Sequence, residues 1–354
     1  MKVFTAVASS LLGLHIAAAF ILSDDNSCLG RCYTHLDNAQ GCQCNYICHK
    51  YGDCCNDFDY ACQHKGTHPT SQAGASTAPP HTQAPHTQGP HTPVSSHNIA
   101  DALWQVDPDK VDMADITINI GSHATSGKTT DVSKSNLFSN VNAAPLRKPV
   151  YQALMALWDN YNPTRGSADP VTAADKAEIN NFLDIVMASP VMETTYNYLV
   201  DQHIYSGSKT ALRDKIYSLW FQPYSRSGGS SKDSSGFEHV FVGEYKSSIV
   251  EGFHNWLRFY KEEQAGHANY LGYLKQVGPQ MLEFTFTWNG HFKKIDSFII
   301  GSSPAFDMAL GTICILTRPS SSCPFTLNGH SFHIQQYDEA HTSGVQLATA
   351  YTVF

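Results

Sequence analysis

Eight of the ten cysteines lie between residues 28 and 62, and the other two are Cys314 and Cys323. A stretch this short cannot bury enough apolar surface to fold unaided, so disulfides must take the place of a core. Zinc binding is the alternative, but the even count and the adjacent Cys54 and Cys55 favour disulfides. Cys314 and Cys323 either pair across a short loop or stay as buried thiols. The sequence predicts a small disulfide-stabilised domain and a larger domain with a conventional hydrophobic core.

The first residues predict an exported chain. Residues 1–19 contain Lys2, an apolar run and the small residues Ala17 and Ala19, a pattern typical of a cleaved signal peptide. A membrane anchor is the alternative, but spanning takes about 20 apolar residues, and no other stretch is long and apolar enough. We therefore expect a secreted, extracellular protein without a membrane span, in a compartment where disulfides persist.

A polar segment separates the cysteine-rich stretch from the rest of the chain. Residues 65–97 hold almost no large apolar side chain and contain the near repeat PHTQAPHTQGPHTP. Such a composition favours a disordered linker. Its periodic histidines, His81, His86 and His91, either bind a metal loosely or only contribute to a solvated spacer.

The first half of the remaining domain, residues 98–354, has helical signals. The stretch LRKPVYQALMALWDNY has apolar residues at helical spacing. Thr172 and Asp175 have the spacing of a capping box, and Pro190 suits the first turn of a further helix. The formal net charge of −8 excludes a generic basic nucleic-acid binder, so any anion must be held by local groups.

The second half has strand signals. The stretch LEFTFTW alternates apolar and polar residues and is followed by Asn289-Gly290, a typical hairpin turn. FTLNGHSFHIQQY repeats this device at Asn328-Gly329, and VQLATAYTVF predicts a last strand. Helices followed by antiparallel strands indicate an α+β fold.

Two histidines stand fifteen positions apart in EHVFVGEYKSSIVEGFHNW, residues 238–256. Ser248 and Glu251 have capping-box spacing, which predicts a helix that carries His254 on its apolar face. His239 is expected in an exposed loop or at a strand end. Taken singly, each histidine is unremarkable.

The cysteine-rich stretch, with its CLGRC, CQC and GDCC motifs, resembles the somatomedin B domain, which we place at residues 24–64. The resemblance implies a docking module for an extracellular protein partner. It also implies four disulfides, which are Cys28–Cys44, Cys32–Cys62, Cys42–Cys55 and Cys48–Cys54.

The large domain resembles the EndoU endoribonucleases. The motifs GFEHVFVGE, GFHNW, WNG followed by lysine, IGSSPAFDMAL and the terminal ATAY occur in order over most of this domain. The resemblance implies an enzyme, expected to be a monomer, that cleaves single-stranded RNA at uridines. In that chemistry the 2′-OH attacks the phosphate and leaves a 2′,3′-cyclic phosphate, so the protein moves two protons and stabilises the phosphate.

Three residues carry this chemistry in our hypothesis. His254 is the general base on the 2′-OH, and His239 is the general acid on the leaving 5′-oxygen, because imidazoles titrate near neutral pH. Lys293 neutralises the charge that develops on the phosphate. The sequence leaves open whether the two histidines exchange roles and whether Lys294 replaces Lys293.

The resemblance also implies substrate-binding residues. Lys293 and Ser297 are four apart, which predicts one strand face and allows one of them on the phosphate and the other on the base. The resemblance implies that the serine contacts uracil. Thr349 and Tyr351 share a face of the last strand, and Tyr351 either stacks on the base or ribose or packs on the core.

Glu238 and Glu244 flank the first histidine. The resemblance implies that Mn²⁺ stimulates the enzyme, so these carboxylates are candidate metal ligands. They could instead orient an imidazole or be solvated loop acids. The backbone of IGSSP, residues 300–304, either faces phosphate or forms a structural turn, and the Ser/Gly run SRSGGSSKDSSG is a lid or an insertion.

Two other functions compete with the endoribonuclease. An extracellular binding or adhesion protein would act through the somatomedin B-like domain and carry a catalytically silent RNA-binding domain. A metalloprotease would need an HExxH helix, which the sequence lacks. The complete set of His239, His254 and Lys293 favours the enzyme.

Overall fold

The computed structural model describes residues 98–339 and 345–354, together with Cys42, Cys54 and Cys55. The chain divides into two compact units, Met1–Pro85 and His86–Phe354.

In the first unit, a disulfide joins Cys42 to Cys55, which is one of the four pairs that the resemblance implies. Cys54 is also disulfide-bonded. The other three pairs, the signal peptide and the linker lie outside the described residues.

Five of the seven α-helices in the described part of the second unit begin at a residue whose side chain caps them. Thr172 and Asp175 form the predicted capping box, in which each side chain accepts a hydrogen bond from the other residue's backbone. Ser189 caps the next helix, and Pro190 opens it as expected. The helices are α1 (Ile99–Val106), α2 (Pro149–Ala156), α3 (Ala173–Ala188), α4 (Pro190–Asp201), α5 (Lys209–Phe221), α6 (Trp256–Gln264) and α7 (Pro304–Thr317).

The strands form three sheets, with orders β1-β2, β3-β4-β7-β6-β5 and β10-β9-β8. All strand pairs are antiparallel except β4 with β7, which pair in parallel at one position. The strands are β1 (Ile116–Ile118), β2 (Phe138–Val141), β3 (Glu244–Lys246), β4 (Ile249–Glu251), β5 (Ala268–Val277), β6 (Met281–Trp288), β7 (His291–Ile299), β8 (Ser322–Leu327), β9 (His330–Asp338) and β10 (Leu347–Val353).

The predicted hairpin turns are confirmed. Asn289-Gly290 joins β6 to β7, Asn328-Gly329 joins β8 to β9, and all four residues have positive φ. Asparagine and glycine tolerate that conformation better than other residues, which explains why the turns could be located from sequence.

The predicted α+β class is also confirmed. The almost wholly buried α7 follows β7 and packs against α4 and β9, so it joins the helical part to the three-stranded sheet. Cys314 on α7 forms a disulfide with Cys323 on β8. The structure thus decides between the two alternatives in favour of a bridge. In the described part of the second unit, no helix has both the length and the apolarity to cross a membrane.

The helix predicted to carry His254 begins later in the chain than the sequence indicates, and it does not include this histidine. Ser248 lies in the turn between β3 and β4, and α6 starts only at Trp256, with Asn255 as its cap. The intervening Gly252 and Phe253 have φ of +63° and +75°, which no helix accommodates. His254 therefore lies in an irregular segment between β4 and α6.

Candidate active site

Two short backbone segments bring the histidines together. His239 lies in a π-helical turn, Glu238–Val242, and is 7% exposed, so the expectation of an exposed loop is wrong. The backbone N–H of Phe253 donates to the carbonyl of His239, and that of His254 donates to Val240, both at 2.8 Å. These bonds fix the imidazole centroids 5.9 Å apart.

Glu244 orients the first histidine. Its Oε2 lies 2.5 Å from His239 Nδ1 and 3.4 Å from Arg226 Nε. Burial lowers the pKa of His239 well below its ordinary value, and Arg226 lowers it further. Burial also raises the pKa of Glu244 to about 7, against the opposing effect of Arg226. With Nδ1 held by Glu244, the other ring nitrogen of His239 is left for chemistry.

Asp296 orients the second histidine in the same way. Its Oδ1 lies 2.5 Å from His254 Nδ1, and both side chains are buried. Burial lowers the pKa of His254, whereas the charge of Asp296 acts to raise it. The sequence analysis missed this aspartate, although it stands between Lys293 and Ser297 in the stretch KKIDS.

Lys293 lines the same cavity as the two imidazoles. Its Nζ donates to the carbonyl of Gly252, and the side chain is buried, whereas Lys294 is exposed. Burial lowers the pKa of Lys293, and Asp296 opposes that change. The geometry therefore brings Lys293, and not Lys294, to the histidines.

A bulge in β7 changes the predicted face pattern. Lys293 pairs with Phe286 and Asp296 pairs with Phe284, so the two intervening residues of β7 stand opposite Thr285 alone. The extra residue shifts the alternation of side chains. Lys293 and Asp296 therefore share one face of β7, and the expectation that Lys293 and Ser297 share a face is wrong.

His239, His254, Lys293 and Asp296 border one cavity of about 670 Å³ where β7 meets β10. Ser297, Thr349 and Tyr351 also line it, so the structure brings the predicted substrate-binding residues to the same place as His239, His254 and Lys293. The Ser297 hydroxyl donates to the carbonyl of Thr352, and the Thr349 hydroxyl has no hydrogen-bond partner among the described residues. Tyr351 stacks on His254 at 5.0 Å and remains partly exposed.

The Ser/Gly-rich loop contributes a cation that the sequence analysis did not single out. Arg226 lines the cavity, and its guanidinium also donates to the carbonyl of Ala348. Asp233 accepts hydrogen bonds from the backbone of Arg226 and Gly166, and Arg165 donates to the carbonyl of Arg226. These bonds hold the loop in place. Arg165 and Arg226 therefore join Lys293 as cations that line the cavity.

Glu238 and Glu244 do not converge on one metal position. Glu244 contacts His239, whereas Glu238 lines a separate small cavity with Tyr161 and Asp169. Both carboxylate oxygens of Glu238 and one of Asp169 are buried, and the two carboxyls share a hydrogen bond. Burial raises the pKa of Glu238 well above its ordinary value. Within residues 98–339 and 345–354, no three His, Cys, Asp or Glu side chains are grouped to hold a metal.

The motif IGSSP forms a structural turn. Ser303 caps α7, and Gly301 has φ +86° with the carbonyl of Val111 only 2.3 Å from where a Cβ would stand. The motif does not line the cavity.

Replacing Gly252 by alanine should disrupt the site. A Cβ at this position would lie 1.9 Å from the carbonyl oxygen of His239, and φ is +63°. Because backbone must move, we expect Gly252→Ala to lower kcat/KM on RNA at least tenfold and stability by about 1–3 kcal/mol. Gly290→Ala is the matched control, with φ +81° and no atom within 4 Å. Equal losses of activity in the two variants, measured by RNA cleavage and thermal unfolding, would contradict this account.

The comparisons with known proteins agree with this site. The sequence profile described as Endoribonuclease XendoU matches residues 95–352, and that of the somatomedin B domain matches residues 26–65. The chain therefore belongs to the endoribonuclease XendoU family, and both resemblances seen in the sequence are confirmed.

Individual relatives cover most of the chain. Proteins named uridylate-specific endoribonuclease from Bos taurus and Mus musculus are 34% and 35% identical to it, over 93% and 96% of this chain and 78% and 81% of their own. The solved structure of XendoU, described as a splicing independent snoRNA processing endoribonuclease, has a TM-score of 0.63 and 31% identity, covering 73% of this chain and 96% of that one.

Proposed function

We propose that this protein is a uridylate-specific endoribonuclease that uses the 2′-OH of RNA as its nucleophile. The observation that carries the proposal is the pair of imidazoles on one cavity, each with Nδ1 on a buried carboxylate, beside Lys293. The names of the relatives support the substrate class.

The proton transfers follow from this arrangement. One imidazole takes the proton of the 2′-OH, the phosphate closes to a 2′,3′-cyclic ester, and the other imidazole protonates the leaving 5′-oxygen. In this proposal His254 is the general base and His239 is the general acid. An anionic phosphate raises the pKa of both imidazoles, which offsets their lowering by burial and lets one of them carry a proton.

Lys293 is the electrostatic group of the proposal. Its ammonium lies in the same cavity as both histidines, and its hydrogen bond to Gly252 fixes its direction. A cation that is already in place stabilises the charge of a crowded phosphate without reorganisation. Arg226 adds a second positive charge on the His239 side of the cavity.

Uracil recognition is assigned to the β10 side of the cavity. Ser297 and Thr349 present hydroxyls there, and the exposed part of Tyr351 offers a surface for the base or the ribose. Base stacking on an aromatic ring contributes about 1–3 kcal/mol. A Tyr351→Ala variant with undiminished uridine preference would contradict this role.

The predicted ligand set does not fit the cation that the family resemblance implies. Oε2 of Glu244 contacts His239 and Arg226, and the carboxyl of Glu238 shares a hydrogen bond with Asp169 while burial raises its pKa well above the ordinary value. Among the described residues, no third His, Cys, Asp or Glu joins them. No step of the proton transfers depends on a cation.

Export and docking are part of the proposal. The N-terminal pattern and the disulfides Cys42–Cys55 and Cys314–Cys323 support a secreted protein. The somatomedin B domain would then bind an extracellular protein.

The test compares two RNA oligonucleotides that differ only at one sugar. One carries a single uridine and the other a 2′-deoxyuridine at the same site, and each is incubated with and without Mn²⁺. We expect cleavage of the ribose version alone, with a 2′,3′-cyclic phosphate end detected by mass spectrometry. Cleavage of both would exclude 2′-OH attack, and cleavage of neither would favour the binding protein.

A further inference from the structure

Several side chains that line the cavity have no part in the chemistry above, and three of them lie on the strands that carry Ser297 and Tyr351 or on their neighbour β6. They are Glu283 on β6, Ile295 on β7 and Val353 on β10. Ile295 is 44% exposed and Val353 is 37% exposed, which places both among the few exposed large hydrophobic residues of the described part of the chain. Apolar surface of this kind beside Tyr351 suits the faces of a flat nucleobase.

Glu283 lies where it can contact the hydrogen-bonding edge of that base. It pairs directly with Ser297 in the register of β6 and β7. Directly opposite residues of an antiparallel pair share a face, with Cβ atoms about 5 Å apart. The carboxylate of Glu283 and the hydroxyl of Ser297 therefore lie side by side at the same end of the cavity.

The neighbours of Glu283 leave this carboxylate available. No hydrogen bond from another described residue to its oxygens is present at ordinary geometry. Burial raises the pKa of Glu283, and the charge of Lys275, its partner on β5, opposes that change. The Lys275 ammonium donates to the carbonyl of Phe354. Glu283 is thus an anionic acceptor with a cation behind it.

The two pyrimidines differ in the hydrogen atoms that such a pair can read. Uracil presents a carbonyl, an N3–H donor and a second carbonyl, whereas cytosine has a lone pair at N3. An ionised carboxylate only accepts hydrogen bonds, and the one hydrogen of the Ser297 hydroxyl is already donated to Thr352, so N3 is the atom at which Glu283 can distinguish the two bases. We propose that Glu283 is a specificity-determining residue that accepts the N3–H of uracil beside Ser297, and that it disfavours cytosine by facing the N3 lone pair.

This inference deepens the proposed function and rests on it. The test uses DNA oligonucleotides with one ribonucleotide, which is uridine, cytidine or N3-methyluridine. We expect the wild-type protein to prefer uridine over both others at least tenfold in kcat/KM, the size of one well-placed base contact. Glu283→Gln can present either its oxygen or its amide N–H, so the uridine-to-cytidine ratio should fall about tenfold.

Controls separate this role from a general loss of activity. Glu193→Gln removes a carboxylate on α4, outside the cavity, and should leave the ratio unchanged. N3-methylation of the uridine should lower kcat/KM much less for Glu283→Gln than for the wild-type protein. An active Glu283→Gln protein with the wild-type ratio would overturn this inference alone. A wild-type protein that cleaves none of the oligonucleotides would overturn the proposed function and this inference with it.

Discussion

His254→Ala is expected to lower kcat/KM on a uridine-containing RNA by about 10²–10⁴-fold, the usual contribution of a positioned general acid or base. The same holds for His239→Ala, and Lys293→Ala should cost about 10²–10³-fold through lost stabilisation of the phosphate. The three side chains border one cavity, with the imidazole centroids 5.9 Å apart. Because these residues act on one reaction step, a variant that combines His239→Ala with His254→Ala should lose much less activity than the product of the two single losses.

The control is His333→Ala, an exposed histidine on β9 that does not line the cavity. It should retain full activity. Each inactive variant is checked for folding by circular dichroism, and added imidazole should restore part of the activity of His254→Ala. If only one of the three alanine variants loses activity, the three residues do not act as a unit.

Asp296→Asn is expected to lower kcat by about 10²–10⁴-fold while the fold persists. The aspartate accepts from His254 Nδ1 at 2.5 Å, and an asparagine amide would stabilise the wrong tautomer of the ring. The corresponding substitution beneath the histidine of a serine protease costs about 10⁴-fold. The double variant with His254→Ala should be hardly worse than His254→Ala alone, because Asp296 acts through this histidine.

The pH profile of the residual activity identifies the role of His254. The charge of Asp296 raises the pKa of this imidazole, so its removal lowers that pKa. A general base must be neutral, and its titration sets the acid limb of the profile. If His254 is the base, the acid limb of kcat/KM should move to lower pH in Asp296→Asn. A shift of the alkaline limb instead would make His254 the acid, and an unchanged profile would exclude a positioning role for Asp296.

The parts of the fold that depend on local signals could be predicted from the sequence. The capping box at Thr172, the turns at Asn289 and Asn328 and the strand β6 each follow from a few adjacent residues. The helix predicted from Ser248 failed for a physical reason. Its spacing fits a capping box, but the positive φ values of Gly252 and Phe253 are set by tertiary contacts with the turn at His239.

The same distinction holds for the site. Motifs pointed to the two histidines and to Lys293, whereas their partners depended on contacts that are distant in sequence. Asp296 meets a histidine 42 positions away, and Arg226 reaches Glu244 from a loop that has no chemical signature of its own. The bulge in β7 leaves no clear sequence signal, because neither of the two residues opposite Thr285 is a glycine.

The cavity draws its two sets of residues from different sheets. Lys293 and Asp296 belong to the five-stranded sheet, whereas Thr349 and Tyr351 belong to the edge strand of the three-stranded sheet. One hydrogen bond, from Ser297 to Thr352, links the two at the site. A redesign of β10 would therefore change the surface on which the base stacks without replacing Lys293 or Asp296, whereas the edge of the base is read by Glu283 and Ser297 on the five-stranded sheet. Retargeting the enzyme to another base therefore needs changes in both sheets.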